Sequence, residues 1–303
     1  MAIKTVAVVG ATGNVGLPTV HALLAASFSV VAITRPTSNP TTLPPNVPIR
    51  RADLTSLASL TEAFKDIDAV VVTIATAEVS NQRVLADAAL AAGVKRFIPS
   101  EFGHSLARLI ETKSSLATIL MGKANTASYL RELAEKNEGF SWTGIATSPF
   151  FDWGLDHAVF GFDFPKRKVS IVDSGDERVS VSSMRFVGEA VARVLLNEEE
   201  TKNKEVEVVE FTVSQNEILK IFEEEIGEKW SVAHVRGADL EKSGNEKLAG
   251  GNIGGAFLDL LQSWNLSDGG DHAVKEDELA NGMLGLKGRS VREVMKEYIK
   301  AHV

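Results

Sequence analysis

Residues 3–16, IKTVAVVGATGNVG, run an apolar, β-branched stretch straight into glycines at positions 10, 13 and 16. Gly10 permits a tight turn, Gly13 lets the backbone approach a pyrophosphate, and Gly16 lets the next helix pack closely on the strand. Apolar residues at helical spacing follow at once in LPTVHALLAAS. The segment reads as strand, turn, helix, and the N–H groups at the helix start offer partial positive charge to phosphates. The spacing is G-x-x-G-x-x-G, and its weight comes from the alternation after it. SVVAIT at 29–34, a helix over 55–66, AVVVTIA at 69–75, a helix over 79–93 and RFIPS at 96–100 repeat the pattern. Short, almost wholly apolar strands between amphipathic helices predict an α/β protein. Its doubly wound parallel sheet, a Rossmann fold, is covered by helices on both faces.

A helix from about Lys123 to Lys136 and the strand SWTGIA at 141–146 come next, and past Pro149 the texture changes to an aromatic cluster. A chain of 303 residues has room for about two domains of ~150 residues each. We expect a dinucleotide-binding domain over 1–150 and, over 151–303, a smaller α+β, mainly substrate-binding part with some elements returning to the first sheet. In that second part we expect a strand at VSIVD, a helix over 184–196, one strand and helix over 206–227, and an amphipathic helix closing the chain. NEEETKNKE at 197–205 reads as a solvated loop or helix end, and LAGGNIGG at 248–255 as a flexible loop moving over a pocket.

Forty acidic against 32 basic side chains leave a formal charge of −8, a poor field for holding a polyanion, so nucleic acid is not an expected partner. The absence of cysteine excludes disulfides, thiolate metal sites and cysteine nucleophiles. It also fits a reducing compartment. No run approaches the ~18–20 apolar residues that span a bilayer. We expect a cytoplasmic monomer or homodimer with no membrane contact, and the absence of metal, hydrolase and phosphate-loop motifs predicts no metal site.

A binder of the non-phosphorylated dinucleotide places a carboxylate at the end of the second strand, whereas here stand Thr34 and Arg35, with no Asp or Glu between Ile33 and Arg51. Arg35 offers a fork of donors suited to a 2′-phosphate, which predicts NADP(H). The expected contacts are Gly10, Thr12, Gly13, Asn14, Val15 and Gly16 in the turn, Arg35, and Thr73, Ile74 and Ala75 at a later strand end. Asp53 in RADL either approaches the adenine edge or caps a helix.

The Tyr-x-x-x-Lys pair of many short-chain dehydrogenases is missing: neither Tyr129 nor Tyr298 has a lysine four residues on. At this point the sequence resembles the atypical short-chain dehydrogenases of the isoflavone reductase and phenylcoumaran benzylic ether reductase family, within the NmrA-like group. The resemblance rests on VVGATGNVG, Thr34-Arg35, KRFIPSEFG at 95–103, a lysine opening the next helix in GKANTASYLREL, and FSWTGIATSPFFDWGL at 140–155, the last looking most like fungal members. It implies an NADPH-dependent reductase of a small aromatic or conjugated substrate: an enone, an isoflavone-like molecule or a benzylic ether. It implies further that Lys123 is the general acid or base and touches the cofactor, with Ser100 and Phe102 beside the nicotinamide. For benzylic ethers the lysine would deprotonate a phenol, giving a quinone methide that accepts the hydride. The chain departs from the plant members by a longer spacer after the lysine and by a single Arg131 where an Ile-Arg-Arg-like run is usual. A lysine at the positive end of a helix, beside a ring that becomes cationic, loses proton affinity. Lys113 competes for that role, and His104 is a second candidate for relaying a proton. Phe102, His104, Phe150, Phe151 and Trp153 are the expected substrate contacts, the rings stacking on a planar molecule. The alternative function, also implied by the resemblance, is an NADP(H)-sensing regulator that binds the cofactor without turnover.

Overall fold

The computed structural model describes residues 2–303. Its first half alternates as the sequence predicts: β1 (Thr5–Val9), α1 (Gly16–Ala25), β2 (Ser29–Thr34), β3 (Ile49–Arg51), α2 (Leu57–Ala63) and β4 (Ala69–Val72). A 3₁₀ turn at Thr76–Asn81 leads into α3 (Gln82–Ala91), followed by β5 (Arg96–Ile98), α4 (Leu106–Glu111), α5 (Ser115–Lys136) and β6 (Ser141–Ala146). The second half comprises α6 (Phe151–Asp156), β7 (Phe162–Asp163), β8 (Lys168–Val172), β9 (Val179–Val181), α7 (Met184–Leu196) and β10 (Lys204–Glu207). It ends with β11 (Phe211–Val213), α8 (Gln215–Ile226), β12 (Ser231–Val235), α9 (Gly237–Ala249), α10 (Ile253–Leu266), α11 (Asn281–Leu284) and α12 (Val291–His302).

Seven parallel strands form the main sheet in the order β10-β6-β5-β4-β1-β2-β3. The order reverses at β1, whose Val9 faces Ile33 of β2 on one side and Val72 of β4 on the other. In a doubly wound sheet, the crevice beyond the carboxyl ends of the strands at that reversal is where ligands bind. One apolar core packs α1 and α7 on one face of the sheet, and a second packs α2, α3 and the end of α5 on the other. A third core lies in the carboxyl-terminal part, around the pair β11-β9 and the three-stranded sheet β12-β8-β7.

Helix α5 joins two of these cores. Leu116, Ala117 and Leu120 near its start belong to the carboxyl-terminal core, and Leu130 near its end belongs to the core under the main sheet. It begins at Ser115, capped by the Ser114 hydroxyl, which accepts from Leu116 N–H. Lys123 therefore does not open the helix as the sequence reading had it. It lies two turns inside, at the seam between the cores, beyond the first turn where the helix dipole acts.

Two other expectations change. The single strand predicted over 206–213 is two, because the chain leaves the main sheet after β10 and pairs β11 antiparallel with β9. Buried Glu210 marks the crossing, accepting from Ser183 N–H at 3.0 Å and pairing with Arg289 at 2.9 Å. The glycine-rich 248–255 segment is mostly helix and not one continuous loop: α9 runs to Ala249 and α10 starts at Ile253, with the Asn252 side chain accepting from Gly255 N–H. The helix ends over 214–227 follow local chemistry. Ser214 and Glu217 form a reciprocal capping box, and Gly227 ends α8 in the left-handed conformation. Ser214→Ala is expected to lower unfolding stability by about 1 kcal/mol in chemical denaturation, without altering ligand affinity.

Candidate active site

A cavity of about 440 Å³ opens at the β1–β4 reversal. Its floor on the dinucleotide side is the turn Gly13–Asn14–Val15 and the end of β4 at Thr73, Ile74 and Ala75. Gly10 sits at φ +84°, and a Cβ there would come 2.7 Å from the Thr73 carbonyl oxygen. A Cβ on Gly16 would collide with the Gly10 carbonyl. Both glycines are thus fixed by close backbone approach, Gly10 by its dihedral as well. The backbone N–H groups of Asn14, Val15 and Gly16 have no acceptor among the described residues, leaving donors at the start of a ten-residue helix. Donors so placed fit a pyrophosphate.

Arg35 and Asp53 lie away from the cavity wall, beyond the ends of β2 and β3, where an adenosine half would extend. Three nearby arginines differ in what they do. Arg50 donates to the carbonyls of Ala63 and Lys65, and Arg51 to those of Pro36 and Ser38. The exposed Arg35 guanidinium has no partner among the described residues, and the buried Thr34 hydroxyl beside it has none either. That edge fits a phosphate on the ribose. Asp53 is engaged locally: its Oδ1 accepts from the backbone and hydroxyl of Thr55, and these bonds hold its carboxyl below the usual range. Those bonds tie it to the turn before α2. Asp53→Asn is expected to change dinucleotide affinity less than about twofold in a fluorescence titration, the neutral variant still accepting locally.

Ser100, Phe102, His104 and Lys123 are brought together around the far side of the cavity, with Phe150 and Trp153 opposite. The Ser100 hydroxyl donates to the Ile74 carbonyl at 2.8 Å, and its N–H donates to Gln82 Oε1, so it braces the wall. Lys123 is 9% exposed, and its Nζ donates to the Glu101 carbonyl at 2.7 Å and the Phe102 carbonyl at 3.2 Å. Burial lowers its pKa from 10.5 to about 8, with Glu101 opposing the fall. Desolvation of the ammonium, not the helix terminus, is the cause. Lys113 is exposed in the turn before α5, at φ 55°, and does not line the cavity.

His104 is pushed down to about 3 by burial, then by His272 and Arg108, with Asn265 opposing. It is a neutral imidazole across the working range, and its Nε2 is buried without a partner among the described residues. A neutral ring has one nitrogen that donates and one that accepts, and no imidazolium proton to give.

Phe151 is corrected. It is 0% exposed and packs edge-on to Phe211 and tilted against Phe160 in the carboxyl-terminal core, because α6 turns that side chain inward. Thr12 is exposed in the turn and does not line the cavity. The sequence reading missed Leu116 and Leu120 of α5, Met184 of α7, and Phe257 and Leu261 of α10, which supply apolar walls. Phe257 and Leu261 stand four residues apart, which in a sequence signals only an amphipathic helix. It missed Glu101 as well, buried beside Lys123 and raised to about 8 by desolvation, with Glu205 adding to the rise while Lys123 and Arg131 oppose it.

With this geometry in view, residues 2–250 match the family model described as the NmrA-like family. The oxidoreductase aprR of Aspergillus flavus is 33% identical over 306 residues, spanning 99% of this chain and 100% of that protein. An isoflavone reductase homolog, P3, of Arabidopsis thaliana is 28% identical, over 78% of this chain and 79% of its own. A solved structure described as AtPrR2 with NADP+ and (+)pinoresinol superposes with TM-score 0.79 at 24% identity, covering 98% of this chain and 99% of the other. At that identity the superposition speaks for the shared fold.

Proposed function

The chain belongs to the NmrA-like family, and from that premise we propose that it reduces a small aromatic or conjugated molecule with Lys123 as the proton-handling group. It is an NADPH-dependent oxidoreductase of the isoflavone reductase type, in keeping with its curated oxidoreductase relatives and with the free donors of the glycine turn. The bound reduced nicotinamide supplies a hydride. Gly13, Asn14 and Val15 would hold the pyrophosphate, Arg35 the 2′-phosphate, and Thr73 to Ala75 with Phe102 the ring end of the cofactor.

One observation carries the proposal: a buried amine, fixed by two carbonyls, projects into an apolar cavity continuous with the dinucleotide turn. Phe150, Trp153, Phe257 and Leu261 offer the flat apolar contact that a planar ring seeks. His104 Nε2 supplies a second hydrogen-bonding point. With its pKa near 8, Lys123 is available as ammonium or amine close to neutrality. The molecule named with NADP+ in the AtPrR2 structure, (+)pinoresinol, supports this reading of the walls.

The two proton directions separate by pH. If Lys123 protonates an oxyanion or enolate formed from an enone, kcat/KM is expected to hold below about pH 8 and fall above it, as the ammonium is lost. If Lys123 deprotonates the phenol of a benzylic ether, activity rises towards pH 8 instead. The experiment mixes purified protein with NADPH and a panel of enones, isoflavones and benzylic ethers, and follows loss of the reduced-nicotinamide absorbance. A cofactor sensor without turnover predicts no consumption with any of them and equal affinity for both redox forms. The deep apolar space beyond the cofactor strip weighs against it. We place the protein in the cytoplasm, which the cysteine-free composition fits, and take it to be a monomer or homodimer. No helix among the described residues is long and apolar enough to cross a membrane.

A further inference from the structure

Glu101 follows β5 in the loop that supplies both carbonyls to Lys123, and its own side chain turns inward. It is 6% exposed and lines the same cavity as the lysine. The carboxyl fits against the bare Cα of Gly144 on β6, where any Cβ would collide with Oε2. Its Oε1 is shielded and has no hydrogen-bond partner among the described residues. A carboxylate left so bare is costly, so the group holds its proton at neutrality. The charged groups that face it are Lys123 and Arg131 from α5 and Glu205 from β10; Gly144 and Trp142 of β6 bring none.

We propose that Glu101 is the proton reserve of Lys123: a neutral carboxyl on the same cavity wall, beyond ion-pair distance of the amine, that refills it through cavity water after each transfer to substrate. This rests on Lys123 being the proton donor of the reaction. The sequence of bonds is closed. An N–H bond of the ammonium breaks as an O–H or C–H bond forms on the hydride-reduced substrate, leaving a neutral amine. A cavity water then carries the proton across: the Glu101 O–H breaks as an O–H forms on the water, another O–H of that water breaks as the amine N–H is restored, and the wall is left with a carboxylate and an ammonium. Water returns the proton to the carboxylate when product leaves. Glu101 acts through Lys123 and is a positioning residue, not a group touching substrate. The bare notch at Gly144 gives the carboxyl its room, and the absence of an ion pair keeps its proton available.

The test is the variant Glu101→Gln, of the same shape but without the transferable proton, with Glu101→Met as a second neutral replacement should the first fold poorly. Trace acetylation of Lys123 by acetic anhydride across pH, in the NADP+ complex and read by peptide mass spectrometry, gives the midpoint of the amine without turnover. Glu101 ionises only as the pH passes about 8, where the lysine also titrates, so removing the charge it gains there is expected to lower that midpoint by about one pH unit. In steady state kcat is expected to fall about tenfold with kcat/KM kept within about twofold, because refilling follows the transfer that kcat/KM reports. An unmoved midpoint, or kcat and kcat/KM falling together, or neither changing, overturns the proposal. Turnover that survives Lys123→Ala overturns the reading beneath it, whereas an unmoved midpoint in an enzyme that still needs Lys123 removes only the reserve.

Discussion

Lys123→Ala is expected to lower kcat by about 10²–10⁴, the usual contribution of a positioned general acid or base, while the affinity for NADPH changes less than about threefold. The two effects separate because the amine is held by the loop carbonyls of Glu101 and Phe102 on the cavity wall, whereas the phosphates would be held at the glycine turn. Truncation also leaves those carbonyls without a donor, so Lys123→Met, which fills the same volume, is the companion variant. Both are expected to bind NADPH in a fluorescence titration and to fail in turnover. Full turnover in both would remove Lys123 from the chemistry. His104 would then be the remaining proton-handling candidate on the wall, acting as a neutral imidazole.

The second large effect is at the other end of the cofactor. Arg35→Ala is expected to weaken NADPH about ten- to hundredfold and NADH less than about twofold. A hydrogen bond to a charged group contributes roughly 1.5–3 kcal/mol, and only the phosphorylated ribose makes one here. Arg50 and Arg51 serve as internal controls, since each is already engaged by backbone carbonyls and holds its own segment of chain. Parallel loss of affinity for both dinucleotides would show that Arg35 supports the fold of that edge and not the phosphate.

The comparison of Arg35 with Asp53 shows how far local pattern reaches. Both follow strand ends near the expected adenosine half, and the sequence treats them alike. The structure separates them by a two-residue turn: Thr55 donates twice to Oδ1 of the carboxylate, while nothing among the described residues engages the guanidinium. Phe150, Phe151 and Trp153 divide in the same way, since one turn of α6 sends the middle ring into the core and leaves the other two on the cavity. The lysine was legible by resemblance, but the reason given for its lowered proton affinity changes. The helix starts eight residues earlier than expected, so burial at the seam between two cores replaces the helix terminus as the cause.

The sequence by itself determined the parallel sheet, the glycine turn and the cofactor edge, because these depend on periodicity and dihedral demands that act over a few neighbouring residues. Only the tertiary structure decided which side chains face one another across the cavity. Phe257 and Leu261 come from a helix more than 130 residues beyond Lys123, and the bare Cα of Gly144 opens the space for Glu101. Desolvation of the amine and the carboxyl arises from that packing of distant segments, and no local stretch of sequence carries it.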